Sequence, residues 1–148
     1  MKNRGVTLLE TIIVLAIMTM FFVISIPFFS RFTENAKLET ASRSVMSAFR
    51  TARTLAITNN APYYVFFDTA SYYVSDADVA DPTKAVDKVY KLPTGISFET
   101  IGFNNNKAWF KATGELGEAQ VSNTVIKDNS GRKKTINVET TTGRARID

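Results

Sequence analysis

Arg144 and Arg146 stand one residue apart in the closing stretch Gly143-Arg144-Ala145-Arg146-Ile147-Asp148. In a strand, alternate side chains share a face, so both guanidiniums would point one way while Ala145 and Ile147 turn to a core. Each guanidinium can donate two parallel hydrogen bonds, and two on one rigid face make a phosphate clamp. The same pattern also suits an edge strand that carries exposed cations against aggregation. Arg132-Lys133-Lys134, after the turn signal Asn129-Ser130-Gly131, puts three more cations at a hairpin tip. They could help hold phosphate or simply make a soluble surface. From Gln120 to Asp148 there are six cations against three anions.

Glu10 is the second residue whose placement asks for chemistry. It borders a run from Thr11 to Ser30 that contains no charged side chain. As a helix this run covers about 30 Å, enough to cross the hydrocarbon core of a bilayer. A carboxylate near the centre of that core costs ~2.5–3.5 kcal/mol, and less toward its edge. Sliding the span to 11–30 avoids the cost, so hydropathy alone allows a plain anchor. A cleaved secretory signal fits poorly, because the apolar stretch is too long and SIPFFSRF lacks a small-x-small site. Lys2 and Arg4 precede the span and place the N-terminus in the cytoplasm, with the rest of the chain outside. Pro27 removes one helical hydrogen bond, which predicts a kink or local unwinding.

The chain has no cysteine and no histidine. That removes the usual zinc ligands, the Ser-His and Cys-His nucleophile pairs and the commonest general base. The expectation is a protein that is not an enzyme and needs no cofactor or metal. Asp76, Asp78 and Asp81 share one loop, but an EF-hand would need more oxygen ligands, a glycine and a distal glutamate in register. A solvated acidic loop is the reading preferred. The formal net charge of +4 is too small to call the whole protein basic. Local clustering would have to carry any binding of polyanions.

These residues need elements to position them. A length of 148 residues suits one domain. Leu38, Ala41, Val45, Ala48, Phe49, Ala52 and Leu55 recur at helical spacing and predict a core-facing stripe. Asn59-Asn60-Ala61-Pro62 ends that helix. From Tyr63 the pattern turns to strands: PYYVFFD and SYYV as a hairpin, a polar loop DADVADPTKAVD, then VYKL, ISFETI, KAWFKA, EAQVSNTVIKD, KKTINVE and RARI. Turn signals separate them. The fold class expected is α+β, one long N-terminal helix packed on antiparallel sheet. The aromatic residues of the strand region, Trp109 among them, are expected to fill the core.

Arg4-Gly5-Val6-Thr7-Leu8-Leu9-Glu10, followed by the apolar run, resembles the class III signal of type IV pilins and pseudopilins. The resemblance implies a prepilin peptidase that cuts between Gly5 and Val6 and N-methylation of Val6, where phenylalanine is commoner. It also implies an assembly role for Glu10. Buried in a filament, that carboxylate needs a partner, and the N-terminal amine of a neighbouring subunit would supply it and set the stagger. The implied boundaries are a leader at 1–5, a transmembrane and filament-core helix at 6–30, and a globular head at 31–148.

The head resembles the GspH/FimT group of pilin-like proteins in ASRSVMSAFRTARTLAITNNAPYYVFFD, KLPTGISF, FKATGEL and TINVETTTGRARID. That group includes the tip pseudopilin of type II secretion and a minor pilin of type IV pili. FimT-like minor pilins of some bacteria bind DNA during natural transformation through a C-terminal Gly-Arg-x-Arg. Gly143-Arg144-Ala145-Arg146 matches it position by position. Secretion-type members often follow Gly-Arg with something other than arginine, so Arg146 tilts the expectation toward the DNA-binding pilin, with the secretion pseudopilin as the alternative. The implied partners are prepilin peptidase, other pilin or pseudopilin subunits, DNA and the inner membrane. The implied location is a single-pass inner-membrane protein with a periplasmic domain, reaching the pilus or cell surface after assembly.

Overall fold

The computed structural model describes residues 7–117 and 123–148, the side chains of residues 25–31 excepted. Two units, Met1–Ala36 and Lys37–Asp148, each hold together by themselves. Among the described residues the longer elements are one α-helix, α1 (Leu8–Asn59), and the strands β1 (Tyr63–Phe67), β2 (Ser71–Ser75), β3 (Tyr90–Lys91), β4 (Ile96–Ile101), β5 (Lys107–Phe110), β6 (Asn123–Asp128), β7 (Lys133–Val138) and β8 (Ala145–Ile147).

In the first unit Thr7 caps the helix. Its hydroxyl accepts a hydrogen bond from the Glu10 N–H at 3.3 Å, the leading half of a capping box. An acid in the first turn also suits the positive end of the helix dipole. Glu10 therefore has a local structural role beside any role in assembly. From residue 7 to residue 24 every side chain is exposed, Leu8 to 80% and Val23 to 71%. Apolar surface on this scale requires burial against lipid or protein. Among the described residues no helix is long and apolar enough to cross a membrane. The first unbroken stretch of described side chains ends at Ile24, about 25 Å along the axis from Leu8 and short of a hydrocarbon core of roughly 30 Å. The remainder of the expected span, the side chains of 25–30, lies outside the described residues. So do Gly5 and Val6. The helix continues through Pro27, so the local unwinding expected there does not occur.

In the second unit the helical stripe is the core. Leu38, Ala41, Val45, Ala48, Phe49 and Ala52 are buried, joined by Ala56, while Leu55 is half-buried against them. The helix stops in a Schellman turn: Asn60 takes φ +49°, the Ala61 N–H reaches the Ala56 carbonyl at 3.2 Å and the Asn60 N–H reaches Ile57 at 3.4 Å. Asparagine is one of the few residues that adopts this left-handed conformation readily, and Pro62 then forbids more helix.

All strand pairs are antiparallel, in two sheets ordered β3-β2-β1-β5 and β4-β6-β7-β8. Strand alternation supplies the rest of the core: Val65 and Phe67, Phe110, Ile126, Ile136 and Val138. The Phe49 ring sits at its centre, 5.6 Å from the rings of Phe67 and Phe103.

Trp109 departs from the expectation that the aromatics fill this core. In β5 it is Ala108 and Phe110 that face α1, which turns Trp109 to the opposite side. There Trp109 pairs in register with Tyr64. The row Trp109, Tyr64, Phe66 and Tyr73 stacks along the far face of the sheet at 5.3–6.2 Å between neighbouring rings. Gly117 lies against the indole so closely that any Cβ would enter the ring.

Candidate functional site

Among the described residues β8 is the end strand of the second sheet, with one edge unpaired. It runs against β7 with Ile136, Asn137 and Val138 opposite Ile147, Arg146 and Ala145. The ladder continues one residue further through Asp148, whose N–H donates to Thr135 at 2.9 Å. Pleating buries Ala145 and half-buries Ile147, and it leaves Arg144 and Arg146 exposed. Arg144 stands one residue before β8 and Arg146 within it, and both border one groove.

The turn before β8 aims these arginines. Gly143 has φ +64°. Its N–H donates to the Glu139 carbonyl at 2.7 Å, and the Glu139 N–H donates to the Arg144 carbonyl at 2.9 Å. The Thr142 hydroxyl donates to the Glu139 carboxylate at 2.6 Å. The Leu116 N–H ties the loop to the body through the Thr140 carbonyl at 3.0 Å. A Cβ at 143 would run into the Gly114 carbonyl oxygen and lie 3.1 Å from Arg53 Cδ. Glycine is required here by conformation and by space.

A groove of about 610 Å³ lies between this turn and the helix. Arg144, Arg146, Glu139 and Gly143 line one side, and Arg50, Arg53 and Thr54 line the other. Arg146 also borders a neighbouring groove with Arg43, Arg50 and Lys134. Among the described residues, Arg50, Arg144 and Arg146 have no carboxylate within ion-pair distance. Such guanidiniums leave their donors to solvent or to an anion.

The hairpin-tip cations divide. Arg132 is taken up by Asp128, with Nε at 2.7 Å and Nη2 at 2.6 Å from one carboxylate oxygen. The other oxygen accepts the Ser130 and Arg132 N–H groups, each at 2.9 Å. Burial pushes the Asp128 carboxyl up, but these hydrogen bonds and the guanidinium charge outweigh it and hold the acid below its ordinary value. Arg132 is thus a structural partner of the turn. Lys133 lies 2.8 Å from Glu99, which Lys127 also approaches at 3.8 Å. Lys134, on the opposite pleat, reaches Glu39 at 3.6 Å. Hydrogen bonding from Arg43 holds the Glu39 carboxyl below the usual range, with Lys134 adding to it. Of the three, only Lys134 is brought beside Arg146.

Sequence reasoning did not assign Arg50 and Arg53 to this site. The available signal was a charge asymmetry: no acid occurs between Glu39 and Asp68, while Arg43, Arg50 and Arg53 do. In the acidic loop, Asp78 pairs with Lys107 at 2.5 Å. Asp81 instead caps the turn Pro82–Lys84 by accepting the Thr83 N–H at 2.9 Å. Among the described residues no three such groups gather to hold a metal.

With this geometry in view, the family model described as type II transport protein GspH matches residues 41–142. The chain belongs to the GspH family. The match ends one residue before Gly143, so the arginine strand lies just beyond it. Among solved structures, the type IV minor pilin FimU of Pseudomonas aeruginosa superposes with a TM-score of 0.60 at 13% identity, over 79% of this chain and 90% of FimU. The minor pseudopilin EpsH from the type 2 secretion system of Vibrio cholerae gives 0.57 at 12%, over 76% and 96%. At such identities the likeness shows the fold: a helix packed on antiparallel sheets, as in pilins. The comparison with curated proteins gave no match. GspH-family proteins are structural subunits that assemble with other pilin-like subunits, are membrane-associated with a periplasmic domain, and are not enzymes. This chain is accordingly a pilin-like subunit with no catalytic role.

Proposed function

We propose that this GspH-family chain is a minor pilin of a type IV pilus that binds DNA, without sequence preference, during DNA uptake. Prepilin peptidase cuts it after Gly5, Val6 is N-methylated, and the helix holds it in the inner membrane until assembly. Glu10 then pairs with a neighbouring subunit's amine. The head presents its surface outside and, after assembly, at the pilus.

The observation that supports DNA binding is the pair Arg144 and Arg146. Both are exposed, Arg146 on the edge strand β8 and Arg144 one residue before it, both are unpaired among the described residues, and they follow a glycine whose added Cβ would meet the Gly114 carbonyl oxygen. Phosphate contacts position a duplex but carry no base code, which suits an uptake protein that must accept any sequence. Lys134 stands beside Arg146 as an accessory cation. A gel shift of the full chain in non-ionic detergent with an arbitrary duplex tests the reading. Wild type should retard the duplex and Arg144→Ala/Arg146→Ala should not. Equal retardation by both, or none by either, rejects DNA binding at this site.

The family description and the likeness to EpsH favour a second reading, a tip pseudopilin of type II secretion that contacts other subunits and cargo. Absence of any duplex binding would leave that reading standing.

A further inference from the structure

We propose that Arg50 of α1 is a third phosphate contact, so that a DNA strand lies in the groove between the helix and β8 and not on the strand edge alone. The inference rests on the DNA-binding reading of Arg144 and Arg146. It is carried by what each helix arginine already does. Arg43 is bound by Glu39 at 2.7 Å. Arg53 donates Nε to the Gly114 carbonyl at 3.2 Å, the same carbonyl that Gly143 packs against. Arg53 is therefore a positioning residue that braces the turn. Arg50 is exposed, lies between the other two arginines in sequence, and has no ion pair among the described residues.

The sequence around it leaves Arg50 no local acid. On a helix its neighbours at three and four residues are Met46, Ser47, Arg53 and Thr54. It lines the groove of about 610 Å³ together with Arg144 and Arg146, and Glu139 is the acid found there. The Glu139 carboxylate is already engaged by the Thr142 hydroxyl. A groove lined by four arginines, one threonine and one glutamate suits a polyanionic backbone better than an apolar peptide.

Salt dependence separates this contact from the two on β8. Each phosphate neutralised adds about 0.9 to the steepness of log affinity against log salt for duplex DNA. The probe is a fluorescent 20-base-pair duplex, titrated with full-length protein in non-ionic detergent at several salt concentrations. Arg50→Ala should flatten the slope by about 0.9, which is a roughly 3.5-fold smaller loss of affinity between 50 and 200 mM salt. Arg50→Lys should keep the slope, since the charge is retained. Lys88→Ala is the control, because Lys88 lies over the Tyr90 ring at 5.1 Å and does not line this groove. If Arg144→Ala/Arg146→Ala flattens the slope and Arg50→Ala matches the Lys88→Ala control, the helix contact is wrong and the strand clamp stands. If wild type and Arg144→Ala/Arg146→Ala share one slope, the DNA reading fails and this inference fails with it. An Arg50→Ala effect confined to vesicles of anionic phospholipid, with none on the duplex, also overturns it.

Discussion

Replacing Gly143 by alanine isolates the physical requirement behind the arginine strand. At φ +64° an alanine is strained by about 1–2 kcal/mol. Its Cβ also meets the Gly114 carbonyl oxygen, which is backbone and is held by Arg53 at 3.2 Å. Relief requires the turn to move. Movement sacrifices one or both of the Gly143–Glu139 hydrogen bond of 2.7 Å and the Leu116–Thr140 bond of 3.0 Å, at about 1 kcal/mol each. We expect a total loss of about 2–4 kcal/mol. Gly131→Ala is the matched control, with φ +79° and no atom within 4 Å of its Cβ. It should lose only the conformational share, about 1–2 kcal/mol. Alanine also narrows the unfolded ensemble, but equally at both sites, so that effect cancels in the comparison. For a head of this size 1 kcal/mol shifts Tm by roughly 4 °C. Thermal melts followed by Trp109 fluorescence should then show Gly143→Ala melting about 4–8 °C below Gly131→Ala. Equal melting temperatures would show that the collision is harmless and that glycine is needed at 143 for conformation alone.

Further substitutions probe other parts of the molecule. Phe49→Ala empties the centre of the core and should destabilise the head by about 3–5 kcal/mol in urea unfolding; a loss under 1 kcal/mol would mean that Phe67 and Phe103 are not held by that ring. Asp128 has a depressed native pKa, so its stabilisation is present above the unfolded value of about 3.9 and disappears as pH falls through the native one. Wild type should therefore lose urea resistance steeply below about pH 4, and Asp128→Asn should give a flatter profile there; parallel profiles would remove Asp128 as the cause. Glu10→Gln should lower the amount of subunit recovered in sheared filaments, and unchanged recovery would leave Glu10 only its place in the helix cap.

Much of the fold was legible because burial repeats locally. The stripe Leu38 to Ala52 needs only the helical period, and Ile136 with Val138 needs only the strand period. Arg144 and Arg146 were legible for the same reason. Trp109 was not, because β5 offers Ala108 and Phe110 on one face and an indole on the other, and local sequence does not decide which face meets α1. Arg132 looked free beside Asn129-Ser130-Gly131, yet the turn folds the Asp128 carboxylate back onto its N–H and guanidinium. Arg50 was hidden by distance along the chain. Only the pairing of β8 with β7, and their packing on the helix, brings it to residues some ninety positions away.

The most direct measurement is the salt dependence of duplex binding by wild type and by Arg144→Ala/Arg146→Ala, read by fluorescence anisotropy. With two phosphate contacts removed, we expect the slope of log affinity against log salt to flatten by about 1.8, with melting temperatures alike because both side chains are exposed. Identical slopes for the two proteins would contradict a phosphate clamp on β8.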